Sequence, residues 1–338
     1  HAQRLSISAQ TNGTYYKAFA ISFTDPWMGG RKPNSFTISA HYSDENNAYY
    51  AWQKGTRYFR TAGVAAGLGK RLDWPDPYFT FYAEASYERY MLKDWNTFVL
   101  KNGAANLLSI RLVLGRNSVD QPIYPRRGSD FSVSVQLTPP YSLWDGKDYK
   151  STALSEQERY NWIEFHKWML KGQWFTPLTR NGNLVLMARA EMGYLGHYNK
   201  NKVSPFERFE VGGDGMTGYN MYGIDIISMR GYDDGALDPV GSNYSCAYNK
   251  YTMELRYPLL LKGQTNIYVL GFLEGGNGFT SWKEFSPFKI KRSAGIGVRL
   301  FLPVVGMVGV DWGWGFDPAA GQTKRSGSHI HFTMGMQF

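Results

Sequence analysis

Hydrophobic and polar residues alternate along most of this chain with a period of two. That period places chemically different residues on the two faces of a strand. In "RLSISAQ", Leu5, Ile7 and Ala9 share one face, and Arg4, Ser6, Ser8 and Gln10 share the other. In "SFTISAHY", Phe36, Ile38, Ala40 and Tyr42 oppose Ser35, Thr37, Ser39 and His41. In "DFSVSVQL", Phe131, Val133, Val135 and Leu137 oppose Ser132, Ser134 and Gln136. In "IHFTMGMQF", Ile330, Phe332, Met334, Met336 and Phe338 oppose His331, Thr333, Gly335 and Gln337. Continued along the chain, the pattern predicts about fourteen strands, many near the ten residues that a tilted membrane strand needs. Their centres fall near Ser6, Ile21, Ser39, Ala65, Ala85, Arg111, Val133, Trp168, Ala188, Glu254, Val269, Gly297, Val310 and Met334.

Short turns such as "PWMGGRKP" (Pro26–Pro33) alternate with longer polar connections such as "SDENNAYYAWQKGTR" (Ser43–Arg57). Short on one rim and long on the other is the construction of an outer-membrane barrel. Tyr49, Tyr50, Trp52, Trp74, Tyr78, Tyr90 and Trp95 gather at strand ends, as an interfacial aromatic girdle would. The fold class expected is all-β, a transmembrane antiparallel up-and-down β-barrel. A soluble sandwich or propeller is the alternative. Strands of about five or six residues would then be usual, and the chain shows no fixed repeat period of the kind a propeller carries.

Composition sharpens this picture. Aromatic residues make up 16% of the 338 positions, and 37 glycines accompany them. Mean hydropathy is −0.41, and no apolar run approaches the roughly 18 residues of a membrane helix. The net charge of +9 comes from Lys and Arg scattered one or two per strand, with no basic run. That distribution points away from nucleic acid and suits a wet interior. One cysteine, Cys246, rules out an intrachain disulfide.

Catalytic and metal signatures are missing. No Gly-x-Ser-x-Gly, His-Glu-x-x-His, Walker loop or Cys-x-x-Cys occurs. His329 and His331 lie on the polar face of the terminal strand, with no nearby cysteine to complete a metal site. "GGDG" (Gly212–Gly215) lacks the strand–helix context of a phosphate loop and reads as a backbone reversal. The chain is not expected to be an enzyme, and it is expected to need no cofactor and no metal.

One connection stands apart. Residues 199–249 form a segment too long for a hairpin, and "MRGYDDG" lies inside it. Loops of that length are uncommon unless they are functional or disordered. If Arg230 leaves bulk water, it needs a carboxylate. Glu254 shares a strand face with Thr252 and Arg256, and Glu274 sits in "FLEGG" on the next strand. A three-residue turn centred on Gly263 would set Glu254 opposite Phe272, with Glu274 its diagonal neighbour about 7–8 Å away. A two-residue turn would put the glutamates on opposite faces. One guanidinium, with five donors, could bridge the pair. An ordinary solvated arginine is the other reading.

Several segments, in order, resemble the barrel of the outer-membrane-protein assembly factor (BamA) family. "SFTDPWMGG" is similar to its strand–turn motif, here Phe23, Asp25, Pro26 and Trp27. "QPIYPRRGSDFSVSV" resembles its Pro-x-x-Gly turn. "FERFEVGGDG" followed by "MRGY" looks like its aromatic–Gly-Gly–Arg-Gly-Phe/Tyr loop. "YTMELRYPL", "LGFLEGGNGF" and "RSAGIGVRLFLPVVGMVGVDWGWGF" resemble later strands, and the final aromatic resembles the family's C-terminal signal. The resemblance covers nearly the whole chain, 1–338.

It implies a β-barrel insertase of the Gram-negative outer membrane, folding client barrels through a lateral seam without ATP. Implied partners are the lipid bilayer and lipopolysaccharide, nascent barrel clients, accessory lipoproteins and possible other outer-membrane proteins; no nucleic acid is implied. The implied loop anchor is Arg230, Gly231 and Tyr232 with Glu254 and Glu274, the last standing where the family usually has an aspartate. The implied seam and signal comprise His329, Ile330, Phe332, Met334, Gly335, Met336 and Phe338. The family has sixteen strands preceded by periplasmic POTRA modules. "QRLSISAQTNG" aligns with its third strand, so the first two strands and the POTRA modules are expected to lie outside this chain. "MTGYNMYGIDIIS" (Met216–Ser228) separates the Gly-Gly turn from Arg230, where the family has a few residues. A sister translocation factor or two-partner secretion pore, a passive diffusion porin and a barrel enzyme are the alternatives.

Overall fold

The computed structural model describes residues 3–30, 34–48, 52, 54–216, 223–241, 244–262, 265–303 and 306–335. Fourteen strands form one sheet, hydrogen-bonded in chain order. The first nine are β1 (Arg4–Asn12), β2 (Tyr16–Asp25), β3 (Asn34–Asn46), β4 (Tyr58–Arg71), β5 (Phe79–Lys93), β6 (Gly103–Asn117), β7 (Gly128–Leu137), β8 (His166–Pro177) and β9 (Val185–Gly196). Two short strands, β10 (Phe209–Val211) and β11 (Asp225–Ile227), pair in parallel as a separate sheet. The main sheet resumes with β12 (Ala247–Lys262), β13 (Thr265–Phe279), β14 (Lys291–Leu302), β15 (Gly306–Pro318) and β16 (Arg325–Met334). Among the described residues, no helix is long and apolar enough to cross a membrane. That says nothing of crossing by strands.

All fourteen expected centres fall within these strands, although Trp168 lies near the start of β8 and Met334 ends β16. Several strands outrun the expected ten residues; β12 has 16. Gly335, expected within the last strand, lies just beyond it with φ +102°. Its amide still donates to the Met307 carbonyl, at 2.9 Å.

The chain divides into two compact units. The first comprises 1–114, 134–168 and 196–206. Its strands carry exposed apolar side chains at alternate positions, including Leu5, Ile7, Phe19, Ile21, Ile38 and Val64. Inside it, Tyr90 stacks on Phe206 at 4.6 Å between ring centroids, and Phe98 meets the same ring edge-on at 4.7 Å. Tyr90 is therefore not part of an outward girdle. It is buried, and its hydroxyl donates to Glu88 at 2.6 Å. Trp52, Trp74 and Tyr78 are exposed, whereas Tyr49 and Tyr50 lie outside the described residues. The motif near Phe23 ends β2 with a local turn, in which the Trp27 amide donates to Asp25 Oδ1 at 2.9 Å.

The second unit comprises 115–133, 169–195 and 207–338. Alternation here is sharp. Leu255, Leu273, Ile296, Val310, Trp312, Ile330 and Phe332 are exposed. Their strand neighbours Glu254, Glu274, Gly297, Asp311 and His331 are buried beneath the long connection. At one end of that buried face, Tyr124 packs with Phe175, Met187, Tyr268, Leu270 and Phe272. The Tyr124 hydroxyl reaches the carbonyls of Asn183 at 2.8 Å and Arg256 at 2.9 Å.

The β12–β13 register arises differently from the sequence expectation. Gly263 and Gln264 lie outside the described residues, but Lys262 pairs with Thr265. The connection is thus two residues long rather than three, a length that alone would set Glu254 and Glu274 on opposite faces. The ladder shifts by one between Pro258 and Leu260, and this bulge restores the parity. Glu254 then faces Phe272, and Thr252 faces Glu274. A bulge suits this position because Pro258 has no amide to give to a ladder.

Deleting Leu259 should therefore be tolerated, since it removes the spare residue and leaves Glu254 opposite Phe272. Unfolding free energy should change by less than about 1 kcal/mol. Deleting Val269 on the facing strand should abolish folded yield, because β13 has no spare residue to absorb it. Urea unfolding in detergent checks both.

Candidate functional site

Within the second unit, the described residues 207–216 and 223–241 of the connection between β9 and β12 cover the buried face. Gly213 exchanges backbone hydrogen bonds with its return: its amide donates to the Tyr232 carbonyl at 3.1 Å, and its carbonyl accepts from Met229 at 2.9 Å. This places Arg230 over β12 and β13. The side chain is 9% exposed, so its charge must be met by protein.

Glu274 meets it most fully. Its carboxylate accepts from the Arg230 amide at 2.9 Å, from Nε at 3.0 Å and from Nη2 at 2.6 Å. Glu254 accepts one bond, from Nη2 at 2.7 Å. Asp311, on β15, stands 3.6 Å from Nη1. The guanidinium carbon also lies 3.7 Å from the centre of the Phe272 ring, between the two glutamates in the register. Burial opposes the charge, but Glu274, Glu254 and Asp311 together outweigh it and raise the Arg230 pKa above its ordinary value.

The carboxylates have further partners. Arg256 donates to Glu254 through Nε at 2.8 Å, and its Nη2 stands 2.7 Å from the same oxygen. Arg299 binds Asp311 with a two-pronged fork at 2.8 and 2.7 Å. Glu274 receives Thr252 at 3.2 Å and has Lys250 only at 4.0 Å. Glu274 is thus the carboxylate that depends most on Arg230.

Gly231 and Tyr232 complete the turn. Gly231 has φ +87°, and a Cβ there would meet the Ser293 Cβ at 2.8 Å. Tyr232 is fully buried, with its hydroxyl donating to the Arg292 carbonyl at 2.8 Å.

The residues singled out along the last strand divide by face. His329 and His331 point toward the loop, whereas Ile330, Phe332 and Met334 are exposed. Gly335 lies past the strand end, and Met336 and Phe338 lie outside the described residues. Phe23, Asp25 and Trp27 belong to the first unit and take no part in the arginine cluster. Sequence reasoning missed Asp311 and Arg299, and it placed Arg256 on the face of Glu254 without assigning it as a partner. Asp311 was findable, because it is the acidic residue set between Gly309 and Gly313 on the face of β15 that also carries Gly315. Among the described residues, no group of three or more His, Cys, Asp or Glu side chains is arranged to hold a metal ion.

A further buried acid, Asp238, ties together parts of the connection itself. Asp238 Oδ1 accepts from the Val211 amide at 3.2 Å and from the Ser245 hydroxyl at 2.5 Å. Its Oδ2 has no hydrogen-bond partner among the described residues. Burial pushes this carboxyl up to about 8, against the pull of the Ser245 and Val211 donors, and the charge of Glu210 adds to the rise.

Residues 1–338 match the sequence profile of the Omp85 superfamily domain. The chain is 23% identical over 258 residues to the outer membrane protein assembly factor BamA of Neisseria meningitidis serogroup B, covering 70% of this chain and 27% of that protein. It spans about a quarter of the length of that curated relative. In structure it is similar to BamA from Haemophilus ducreyi lacking POTRA domains 1–3, with a TM-score of 0.66 at 16% identity over 98% of this chain and 63% of that one. It is also similar to CdiB from Escherichia coli, with a TM-score of 0.53 at 13% identity over 94% of this chain and 52% of that one. CdiB from Acinetobacter baumannii gives 0.55 at 12% identity over 98% of this chain and 53% of that one. At these identities the structural likeness concerns the fold.

Two predictions follow from the charges. Arg230→Ala should cost about 3–5 kcal/mol, because buried carboxylates lose their cation, and Arg230→Lys should still cost about 2 kcal/mol for want of the fork. Double-mutant cycles should give a coupling of about 3 kcal/mol with Glu274 and about 1 kcal/mol with Glu254. Equal couplings would contradict the geometry. For Asp238, the folded pKa lies above the unfolded value of about 3.9. Its contribution is full below that value and is lost as pH rises through about 8. Raising the pH from 6 to 9 should speed proteolysis of the connection between 211 and 245 in the wild type, and Asp238→Asn should remove that acceleration.

Proposed function

We propose a function from one premise: this chain belongs to the Omp85 superfamily. Its members of the BamA kind are outer-membrane β-barrel proteins. In our reading the chain is an integral barrel of the Gram-negative outer membrane and serves as the insertase that folds and inserts client β-barrels. The observation that carries this reading is the occupied inner face. Arg230 clamps a long connection onto Glu254 and Glu274, so the second unit covers its polar face with its own chain. An open diffusion pore would leave that face to water and solute.

The exposed faces support a membrane setting. Leu5 is 63% exposed, Ile296 63% and Phe332 56%. Apolar side chains repeated on strand after strand are too extensive for a face in water. Lipid is the environment that accepts them, and strands can cross it where each is hydrogen-bonded to neighbours on both sides, as in a closed barrel.

The work proposed needs no bond chemistry. A client's terminal strand would add to the edge of β16 through main-chain hydrogen bonds, as β-augmentation does generally. Hydrogen bonding and apolar transfer into the bilayer would drive the step without ATP. Lipopolysaccharide, accessory lipoproteins and other outer-membrane proteins are the partners this role would call for. The structural likeness to CdiB keeps a secretion pore as the second reading.

The two readings separate in proteoliposomes carrying the complete protein. An insertase should speed the appearance of a protease-resistant client barrel in the vesicle membrane, relative to empty vesicles. Cross-linking β16 to the strand it closes against should stop this while leaving the fold intact. A secretion pore should instead deliver its client to the far side of the membrane with no gain in barrel folding, and sustained ohmic conductance would favour a porin. Either result would overturn the insertase reading.

A further inference from the structure

The clamp at Arg230 holds the connection to β12 and β13. A second contact holds the same turn to the other end of the unit. The Gly231 amide donates to Nε2 of His331 on β16, at 2.8 Å and one hundred residues away. Accepting that bond requires the neutral imidazole, with its proton on Nδ1. His331 is 4% exposed. Two residues further along the turn, Asp233 stands 3.1 Å from His329 Nδ1.

The strand between is hollowed out for the turn. A Cβ on Gly313 of β15 would come within 2.8 Å of the Gly231 nitrogen. One on Gly315 would lie 2.4 Å from the Gly231 oxygen. Both are glycine because the loop backbone occupies the space a side chain would fill. The turn thus sits in a socket of two glycines closed by one imidazole.

We propose that His331 is a positioning residue that ties the inner face of the last strand to the Arg230 turn when neutral and releases it when protonated. A proton on Nε2 would set one N–H against another, so the bond to Gly231 would become a repulsion. The Arg230 clamp on β12 and β13 contains no group that titrates in the same range and would stay closed. Acidification would therefore free β16 from the loop without freeing the loop from the unit. This deepens, and rests on, the reading of β16 as the edge that receives client strands.

The surroundings permit the proton to arrive. A cavity of about 60 Å³ lies beside the ring, lined in part by Asp214, Arg230, Glu274, Asp311 and His331. Water fits such a polar space. Asp214 and Arg230 face the imidazole from the loop, Asp311 from β15 and Glu274 from β13. On its own strand His329 stacks beside it, with ring centroids 6.0 Å apart. Burial of the ring opposes the proton, as do Arg230 and a charged His329, whereas the carboxylates favour it.

The test is amide hydrogen exchange of the Met229–Tyr232 segment in the complete protein in nanodiscs, compared with His331→Gln at the same pH. Glutamine offers an acceptor oxygen that does not titrate, and comparison at one pH cancels the intrinsic exchange rate. At pH 8 the two proteins should exchange alike. At pH 5 the wild type should exchange about tenfold faster, the cost of one lost buried hydrogen bond. Gly313→Ala should exchange fast at both values, because it displaces the turn without altering a titrating group. A ratio of wild type to His331→Gln that stays constant between pH 8 and 5 would overturn the proposal, as would protection in Gly313→Ala equal to wild type. Client folding is followed on the same samples. Acid release without client folding at either pH would sink the insertase reading and leave this inference standing.

Discussion

A guanidinium taken out of water costs several kcal/mol unless opposite charge and hydrogen bonds replace the solvent. Arg230 is the point at which the second unit meets that cost. Its three carboxylates come from three strands: Glu254 from β12, Glu274 from β13 and Asp311 from β15. A strand shows only alternate residues to one face, so each carboxylate can reach the arginine in only one parity. One loop residue is satisfied only when three strands are in register. An apolar cluster of similar volume could stabilise the unit as well, but it would tolerate a slip that the charges do not.

The glycines follow from the same constraint. To reach the glutamates, the loop backbone must come down onto the sheet, and the sheet must give it room. Gly313 and Gly315 provide that room on β15. Gly295, on β14, leaves space for the Phe272 ring, which its own Cβ would meet at 2.5 Å. Glycine weakens a strand because it packs nothing and loses more entropy on folding. The same strand compensates on its other face, where Val310, Trp312, Trp314 and Phe316 are exposed to whatever apolar medium surrounds them.

Much of the fold was legible because alternation is a local signal. Each strand announces its faces without reference to its neighbours, and order along the chain supplies the pairing in an up-and-down sheet. Tyr90 was misread because an aromatic at a strand end looks the same facing in or out; its partner Phe206 lies far along the sequence. The parity of Glu254 and Glu274 was legible as well, but for a reason that the structure replaces. A turn of odd length and a turn of even length with one bulge give the same register, and Pro258 was the only mark of the second. Arg256 was legible as a neighbour of Glu254 on one strand face, but Arg299 was not legible as the partner of Asp311. Nothing in a strand's own sequence says which inward cation lies beside which inward carboxylate across a ladder.

The same accounting explains why the loop touches the last strand through its backbone and an exposed side chain, and not through another buried salt bridge. A second buried arginine would hold β16 as firmly as Arg230 holds β12 and β13, at a cost of several kcal/mol to undo. A single amide-to-imidazole bond is worth roughly 1 kcal/mol, about what thermal motion and one proton can overcome. His329 adds only an ion pair to Asp233, whose side chain is 84% exposed and therefore weakly coupled. The unit is thus graded: charge in a dry site where the loop must not move, neutral hydrogen bonds and a solvated pair where it meets the strand that ends the sheet. If β16 is the edge that exchanges partners, its attachment has to be the weaker one. Arg230, which holds the turn to β12 and β13, and the neighbouring Gly231 amide, which His331 of β16 accepts, together meet that requirement.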